Sequence, residues 1–550
     1  MRVSALWTVF FGFVIPGVVA AQAPELVKAT KPLGYWNNRN ISYDVLVCPN
    51  GDVAVCGRTD EFMPEDHAGS NAFIARYDSL GNPIWIRYFY RFVNDYAEQI
   101  AQDSQGNLYI VGVFNPWYPD FGFYVGFLSK FSPDGDHLWT RLIGSDDWDY
   151  LYSLTIKRNN NVVVAGFTKS RDTTLPGHAS LVAEFTPDGD MLWAKTMINK
   201  DTSLSQVYCR MKDIQETSDG ALIGFGTVTL AYGSNRNSTP VLIKMDSLGN
   251  PVWTRSIIGS GGYGYQDYAS SVIETPDKGF LITAPSKSIG NGEYHRLVAK
   301  FDSSGDLLWA KDFGPGYPSN SHLEMDANGD VLFTTPTYGE HAAIRITSEG
   351  ELVWAWSYRP SGETDQISPQ SIRIYPTGGF VLVGDYHYDT SAVGMAFVRM
   401  NQQGQTCFGE EVALNPVDVS LNIDSSLIDN LVLDTVVDLD TDPQVNFLEG
   451  TLLEDSLICG YTALNDNPNT SGVSGDVQFF TQAGRIILNL PVKTKISLDI
   501  YDISGRLIQR VHHGEIDAGY HEFQVQMKTR GVFMVMLRTN DKTISTKLLL

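Results

Sequence analysis

The chain is poor in cysteine, in long apolar runs and, over one stretch, in positive charge. Its 550 residues include 5 cysteines, too few for a fold built on disulfides. After Ala20 no run approaches the roughly 20 apolar residues that a membrane-spanning helix needs, so no transmembrane segment is expected. No Lys or Arg lies between Met400 and Gly484, where Asp and Glu number 14, and the net charge is −23. This charge argues against nucleic acid as a partner.

The sequence also lacks the compact signatures of common catalytic and metal sites. It contains no Gly-x-Ser-x-Gly elbow, no His-Glu-x-x-His and no phosphate-binding loop. The His512-His513 pair is expected to be solvated. The acidic run of Asp438, Asp440 and Asp442 lacks the Gly and the distal Glu of an EF-hand loop, so we favour a solvated strand over a calcium site. No catalytic residue, metal or cofactor is therefore predicted.

The first residues have the pattern of an exported protein. Arg2 precedes an apolar run from Leu6 to Ala20, and small residues follow it. A short charged segment, an apolar run and small residues together indicate a secretory signal peptide. We predict that residues 1–21 are this peptide and that export takes the protein out of the cytoplasm.

Self-similarity is the strongest signal in the chain. Seven segments share a pattern in which a cation or Glu begins, Asp, Ser or Pro residues turn, Gly follows, and an aromatic residue comes last. They are Arg76–Trp85, Lys130–Trp139, Glu184–Trp193, Lys244–Trp253, Lys300–Trp309, Arg345–Trp354 and Arg399–Phe408. The spacing between their aromatic residues varies from 45 to 60 residues. A regular spacing of this size indicates a repeat architecture.

Each segment predicts a β-hairpin. The Gly is expected at positive φ in the turn, where only Gly carries no steric penalty. Two residues after the aromatic residue most repeats carry Lys or Arg, as with Arg87 after Trp85. Residues two apart share a sheet face, so the stem of the cation should cover the ring. A second apolar hairpin lies upstream, which makes each repeat four short antiparallel strands.

Four strands in about 54 residues is the size of a propeller blade. We predict an all-β fold with a seven-bladed β-propeller over 38–409, followed by a small C-terminal β-sandwich-like domain. An open β-solenoid is the alternative. The hairpins resemble PQQ-like and related bacterial propeller repeats, a likeness that implies architecture and not activity. Closure of the ring stays open, because Leu26–Trp36 could complete the last blade in place of Thr406–Leu414.

The region after the repeats divides into two parts. Residues 410–470 are an acidic stretch that we interpret as a small β extension docked on the propeller or as a partly ordered linker. Residues 471–550 have strand-length apolar segments and resemble the type A sorting domain of the type IX secretion system. The residues that carry the resemblance are Tyr501, Gly505, Arg506, Gly519, Gly531 and Lys547. The Pro-Asn-Pro entry motif of that family is missing before Val477.

The sorting-domain resemblance implies a route and a set of partners. It implies a Bacteroidota-type host, export by the Sec route and passage of the outer membrane by the type IX machinery. The protein would then be secreted or held at the outer cell surface. For the cysteines, a Cys407–Cys459 disulfide is a possibility, a Cys48–Cys56 bridge is not favoured, and Cys209 is expected to be a buried thiol.

Candidate ligand-binding residues lie where the innermost strands should begin. The residue 17 positions before the repeated Gly is Asp in three repeats, and Tyr follows it each time. These pairs would surround the mouth of the central channel, or else cap turns and pack between blades. An aromatic loop of the second repeat adds a second candidate surface. The candidates are Asp95 and Tyr96, Asp149 and Tyr150, Asp267 and Tyr268, and Trp117 and Tyr118.

Two main functions are compatible with these features. The first is a non-enzymatic module that binds a glycan or a surface protein. The second is a hydrolase or lyase acting on polysaccharide or peptide, with carboxylates such as Asp95, Asp149 and Asp267 at the channel mouth, which needs a carboxylate pair about 5–10 Å apart. A PQQ-type oxidoreductase is suggested by the turn motif alone. We favour the binding module.

Overall fold

The computed structural model describes the chain in two compact parts. The large unit lies within Pro24–Tyr461, and the C-terminal unit contains Thr462–Leu550. The described residues are 26–30, 39–60, 69–79, 81–90, 94–114, 124–144, 147–169, 177–199, 206–232, 235–259, 266–290, 292–316, 321–336, 341–358, 366–376, 378–387, 393–406, 410–424, 431–434, 438–440, 446–449, 455–460, 478–482, 485–490, 493–501, 507–525, 532–539 and 543–549. Their regular elements are all β-strands, and they include no helix able to cross a membrane.

The described part of the large unit contains seven four-stranded antiparallel repeats. Repeat 1 has β2 (Asn40–Val47), β3 (Val53–Thr59), β4 (Asn71–Tyr77) and β5 (Pro83–Tyr90). Repeat 2 has β6 (Tyr96–Gln102), β7 (Leu108–Phe114), β8 (Val125–Phe131) and β9 (His137–Gly144). Repeat 3 has β10 (Asp149–Ile156), β11 (Val162–Lys169), β12 (Gly177–Phe185) and β13 (Met191–Asn199). Repeat 4 has β14 (Gln206–Glu216), β15 (Leu222–Tyr232), β16 (Asn235–Met245) and β17 (Pro251–Gly259).

The remaining repeats follow the same order. Repeat 5 has β18 (Ser271–Glu274), β19 (Phe280–Ser286), β20 (His295–Phe301) and β21 (Leu307–Pro315). Repeat 6 has β22 (Glu324–Met325), β23 (Val331–Pro336), β24 (His341–Ile346) and β25 (Leu352–Ser357). Repeat 7 has β26 (Gln366–Ile374), β27 (Phe380–His387), β28 (Val393–Met400) and, as its fourth strand, β1 (Leu26–Thr30).

The repeats pack face to face in a closed ring. One apolar cluster joins Ile74 and Phe89 of repeat 1 to Phe114 and Phe127 of repeat 2, and similar clusters join each later repeat to the next. A further cluster joins repeat 7 back to repeat 1. Because the first strands contact one another around the ring, they surround a central channel. This arrangement is a β-propeller.

The repeated hairpin holds neighbouring repeats together. The seven turn glycines have positive φ, as predicted, from 71° at Gly81 to 86° at Gly189. A Cβ on Gly249 would lie 2.6 Å from the Trp193 ring of the preceding repeat, so the position needs Gly for space as well as for φ. The predicted cation lies beside its own ring, with the guanidinium carbon of Arg141 5.1 Å from the Trp139 ring centre. The Arg141 Nε also donates to the carbonyl of Gly189, 2.9 Å away.

The start of the large unit closes the ring. The register pairs Leu26 with Arg399 and Ala29 with Ala396, which places β1 beside β28. Of the two predicted ways to complete repeat 7, the one that uses the N-terminal segment is therefore observed. Because β1 precedes repeat 1 in the chain and pairs with β28 of repeat 7, backbone hydrogen bonds link the two ends of the repeat array.

The described strands of the acidic segment lie along the outer edges of the seven repeats. Its strands, here called the outer belt, add a fifth strand to each repeat in reverse order. They are β29 (Glu410–Glu411) on β25, β30 (Val417–Asp418) on β21, β31 (Leu421–Asp424) on β17, β32 (Leu431–Asp434) on β13, β33 (Asp438–Asp440) on β9, β34 (Asn446–Glu449) on β5 and β35 (Asp455–Gly460) on β1. The belt pairs with an edge of each sheet that would otherwise be open to another chain.

The C-terminal unit consists of two sheets around its own core. One sheet contains β36 (Gln478–Gln482), β37 (Arg485–Leu490) and β40 (Gly519–Gln524). The other contains β38 (Thr494–Tyr501), β39 (Leu507–Ile516), β41 (Val532–Arg538) and β42 (Thr543–Leu549). Leu488 and Leu498, one from each sheet, belong to the same buried cluster. Asp499, which is almost fully buried, accepts hydrogen bonds from Arg510 and Arg538, and these bonds lower the pKa of its carboxyl although burial acts in the opposite direction.

Candidate functional site

A bulge in the first strand of the repeats turns side chains toward the channel. The pairing register shifts by one residue around Tyr43, Glu98, Tyr152, Lys212 and Gln370. The extra residue of a bulge leaves the ladder and re-aims its side chain. Each of these five side chains is half-buried, between the packed blades and the open channel.

The residue at the position after the bulge is polar in all seven repeats, including repeats 5 and 6, whose described pairing has no bulge, and in most repeats it hydrogen-bonds to a neighbouring repeat. These residues are Asp44, Gln99, Ser153, Asp213, Ser271, His322 and Ser371. The carboxylate of Asp213 accepts from Ser153 Oγ, Ser271 Oγ and the Val272 amide at 3.0, 2.7 and 2.9 Å. Gln99 likewise accepts from the Leu154 amide. This ring of buried hydrogen bonds holds the bulges in place and thereby positions the side chains of the channel.

One end of the channel carries a cluster of aromatic and charged side chains from repeats 1, 2, 3, 4 and 7, here called the channel site. It consists of Tyr43, Arg58, Tyr96, Glu98, Tyr150, Tyr152, Phe167, Arg210, Lys212 and Asp385. Arg58, Phe167 and Asp385 each follow the repeated Gly on a second strand, and the others lie on first strands or just before them. The site breaks the sevenfold symmetry of the repeats, as expected of a functional surface.

Stacked rings form one wall of the channel site. The ring centres of Tyr150 and Tyr152 are 4.4 Å apart. Phe167 stacks on His178 at 4.5 Å with an interplanar angle of 4°. Burial lowers the pKa of His178 to about 4, with Arg210 as the next cause, so this imidazole is neutral at pH 7. The Arg210 guanidinium lies 4.9 Å from the Phe167 centre on the same wall.

Burial opposes ionisation of both acidic groups of the channel site. Burial raises the pKa of Glu98, although a hydrogen bond from Tyr150 Oη and the charges of Lys212 and Arg58 act against it. Burial also raises the pKa of Asp385 to about 7, against a hydrogen bond from Gln370. A carboxyl that keeps its proton near neutrality can donate a hydrogen bond or act as a general acid.

The cationic groups are placed beside rings. Lys212 Nζ lies 3.3 Å from the centre of the Tyr152 ring, and the Arg58 guanidinium lies 4.9 Å from that of Tyr96. Burial lowers the pKa of Lys212 to about 8, since the charge of Glu98 compensates only part of the lost hydration. The site therefore combines aromatic rings with half-buried donors, which suits a polar ligand with a hydrophobic face.

The structure separates the predicted aspartates from the predicted tyrosines. Tyr96 and Tyr150 belong to the channel site, whereas Asp95 and Asp149 are fully buried. Asp267, which is 5% exposed, accepts hydrogen bonds from the Lys287 and Ser288 amides and from Ser288 Oγ. The Asp267 carboxylate is therefore already hydrogen-bonded within the protein, mainly to backbone amides. Asp267 thus supports a loop, as in the second of the two interpretations above, and the assignment of Asp95, Asp149 and Asp267 as ligand-binding residues stays a prediction.

The other predicted site residues lie elsewhere. Tyr268 stacks on Tyr294, with ring centres 6.2 Å apart, beside Lys287. Trp117, Tyr118 and Cys407 lie outside the described residues, and the Cys407–Cys459 disulfide therefore stays a prediction. Free thiols are found at Cys48, Cys56 and Cys209, all buried, as the sequence favoured. The described residues contain no group of three or more acidic, His or Cys side chains arranged around a metal.

Sequence reasoning missed Glu98, Lys212, Arg58 and Asp385. A signal for the first two existed, because the bulge residue lies 14 positions before the repeated Gly, as Glu98 does before Gly112. The prediction used 17 positions and thereby selected Asp95 and Asp267, which precede their strands, and Asp149, which begins β10. Arg58 and Asp385 directly follow the repeated Gly. An alignment of the repeats on that Gly would therefore have shown that these two residues are charged at the position after it.

Comparisons with known proteins return likenesses at low identity. No family model matches the chain. An uncharacterized WD repeat-containing protein of Acanthamoeba polyphaga mimivirus is 20% identical over a match that covers 61% of this chain and 32% of that protein. The chain thus matches about a third of that relative's length.

Solved structures give partial superpositions. An α-L-arabinanase of Penicillium chrysogenum complexed with arabinobiose is 13% identical, with a TM-score of 0.36 and coverage of 69% of this chain and 98% of that one. The Dos1 propeller is 11% identical, with a TM-score of 0.37 and coverage of 69% and 96%. An α-L-arabinofuranosidase of Fusarium graminearum, solved with an iminosugar inhibitor, is 10% identical, with a TM-score of 0.37 and coverage of 68% and 98%. Superpositions at this level assign no ligand and no activity.

Proposed function

We propose that this protein is an exported seven-bladed β-propeller that binds an extracellular glycan at the channel site. The observation that carries the proposal is the wall of stacked Tyr150, Tyr152 and Phe167 beside Glu98, Lys212 and Arg210. Aromatic faces stack on the apolar faces of sugar rings, and the charged groups can hydrogen-bond to hydroxyls. The ligand would enter the channel from the end at which the first strands begin.

The proposal for delivery rests on the two ends of the chain. Residues 1–21 would be a signal peptide, 38–409 the propeller and 471–550 the type IX sorting domain, with the type IX machinery as partner and the outer cell surface or medium as destination. Support comes from the separate two-sheet core of the C-terminal unit. Of the motif residues, Tyr501 accepts a hydrogen bond from Arg538, Gly519 begins β40 and Lys547 lies in β42. Gly505, Arg506 and Gly531 lie outside the described residues.

A glycan array on the purified full chain tests the binding function. Saturable binding that Tyr150→Ala weakens by tenfold or more would support the channel site, since base- or sugar-stacking rings contribute on the order of 1–3 kcal/mol each. Tyr90→Ala is the matched control, because Tyr90 lies on the fourth strand of repeat 1, three strands away from the first strand. Loss of binding in both variants, or binding unaffected by Tyr150→Ala, would contradict the placement. Absence of any glycan binding would contradict the function.

A second candidate function is hydrolysis or lysis of the same glycans. The observation that favours it is the pair of carboxyls with raised pKa, Glu98 and Asp385, because a general acid must hold its proton near the working pH. Depletion of substrate in the array wells, abolished by Asp385→Asn or Glu98→Gln in folded protein, would make the protein an enzyme. Binding without depletion would leave it a binding module.

A further inference from the structure

The cations of the channel site lack direct ion-pair partners among the described side chains, although the carboxyls of Asp60, Glu98 and Asp385 lie near them. Arg58, Arg210 and Lys212 form no salt bridge with described acidic residues, although the chain carries a net charge of −23. Glu98 is shared between Tyr150, Lys212 and Arg58. The acidic excess of the protein thus lies elsewhere, much of it on the outer belt.

Some hydrogen-bond donors of these cations have no acceptor in the described structure, although Arg58 bonds to Tyr96 and Arg210 Nη2 lies 3.5 Å from His178 Nδ1. The Nε atoms of Arg58 and Arg210 are buried and have no partner there. Lys212 Nζ contacts the Tyr152 ring face and makes no hydrogen bond with any described group. An unpaired buried donor loses its water without replacement, and an unpaired buried charge loses more. Such groups persist where a ligand supplies the missing acceptors.

An acceptor is also left unsatisfied. Asp385 is 9% exposed, and its Oδ1 has no described donor. The occupant of the site should therefore bring anionic acceptors for the cations and hydroxyl donors for Asp385. A phosphate or a free carboxylate offers the first but not the second, nor an apolar face for the stacked tyrosines. A sugar that carries a carboxylate offers all three.

We propose that the channel site binds a glycan containing uronic acid, with the sugar carboxylate held by Arg210 and Lys212. This inference rests on the proposed glycan-binding function and names the class of its ligand. The sugar ring packs against the edges of Tyr150 and Tyr152, whose faces contact each other, Phe167 and Lys212, and its hydroxyls bond to Glu98 and Asp385. Guanidinium groups recognise carboxylates through two parallel N–H donors, which makes Arg210 the main contact of the sugar carboxylate in this proposal.

Calorimetric titration of the full chain tests this assignment. The probes are tetragalacturonate, an alginate tetrasaccharide, and the carboxyl-reduced neutral form of each. At least one acid should bind about tenfold or more tighter than its neutral form, as one or two charge-assisted hydrogen bonds imply. Arg210→Gln should reduce binding of the acid by about tenfold and leave the neutral form unchanged. Lys278→Gln is the control, because Lys278 lies in the turn at the other end of the first strand of repeat 5.

The outcomes separate this inference from the proposed function. Equal affinity for the acid and its neutral form, or an Arg210→Gln variant that still prefers the acid, would overturn the assignment of a uronic acid. Neutral glycans bound on the array in a manner dependent on Tyr150, with no binding of either acid, would overturn the inference and leave the glycan-binding function in place. No binding of any glycan would overturn both.

Discussion

Lys212 Nζ lies 3.3 Å above the centre of the Tyr152 ring, and both residues occupy the same bulge position in neighbouring repeats. The contact therefore joins repeats 4 and 3 across the wall of the channel. A cation over an aromatic face is stabilised by the ring quadrupole, by about 0.5–2 kcal/mol depending on exposure. It does not replace the hydration that Lys212 loses, so the ammonium is available to an incoming anion.

We expect anion binding to weaken as the pH rises from 6 to 9. Lys212, with a pKa of about 8, loses its charge in the upper half of this range, and Asp385, with a pKa of about 7, gains a negative charge in the lower half. Both changes disfavour an anion. Glu98 and Arg210 are the other charged groups that face Lys212. Affinity for the tetrauronate measured across the range checks this.

Lys212→Arg separates the two steps of this pH dependence. Arginine stays protonated, so the decrease near pH 8 should disappear while the decrease near pH 7 remains. A profile that the substitution leaves unchanged would show that Lys212 does not control the pH dependence.

Removal of the buried ammonium should stabilise the fold. Because the folded-state pKa of Lys212 lies below its ordinary value of 10.5, its charge destabilises the folded state at pH below about 8, and the penalty fades toward pH 10.5. Lys212→Met should thus raise the melting temperature at pH 7 and have little effect at pH 10.5. Lys278→Met, at an exposed turn, should leave both values unchanged. A lower melting temperature for Lys212→Met at pH 7 would contradict the assigned desolvation.

Gly249 should tolerate no side chain. Its φ is 77° and an added Cβ would lie 2.6 Å from Trp193, so Gly249→Ala combines a conformational penalty with a clash between repeats 4 and 3. Gly220 has a φ of 83° but nothing within 4 Å of an added Cβ. Gly220→Ala should cost about 1–2 kcal/mol for its backbone alone, and Gly249→Ala clearly more. Urea denaturation of both variants makes the comparison, and equal losses would contradict the clash.

Asp213 should be among the most sensitive positions of the large unit. Asp213→Ala removes the acceptor of Ser153, Ser271 and Val272 and leaves buried donors unsatisfied, at about 1–3 kcal/mol for each group that stays unpaired. Asp213→Asn keeps one oxygen and should lose less. Equilibrium unfolding in urea measures both, and a loss below 1 kcal/mol for Asp213→Ala would show that the ring of hydrogen bonds is dispensable.

The outer belt should contribute to stability through its inward side chains. Ile423 pairs with Ile257 and packs on the apolar cluster of repeats 4 and 5, whereas its neighbour Asn422 is exposed. Ile423→Ala should cost about 1–3 kcal/mol as a partly buried aliphatic truncation, and Asn422→Ala within about 0.5 kcal/mol of zero. Thermal unfolding followed by circular dichroism compares them. Equal effects would mean that β31 is not packed on the ring.

The amino-acid sequence by itself determined the repeats and their local structure. Trp85, Gly135 and their equivalents recur for two reasons. Each hairpin turn needs a Gly at positive φ, and the Trp ring of the preceding repeat leaves no space for a side chain at that Gly. These are short-range requirements, and they leave a periodic trace. The strands of the C-terminal unit were likewise predictable, since alternation of apolar residues from Ile496 to Ile500 marks the buried face.

Only the tertiary structure decided which distant segments pair and which side chains share the channel. The residues of an edge strand do not specify locally which strand will pair with it. The placement of β1 beside β28 and the pairing of the outer belt with each repeat could therefore not be derived from β propensity. The channel site depends on a one-residue bulge in the first strand of repeats 2 and 4, which moves Glu98 and Lys212 to the channel. Asp95 and Asp149, a few positions away, are buried instead. A shift of one residue reverses the face of a side chain, and that shift is set by packing around the ring.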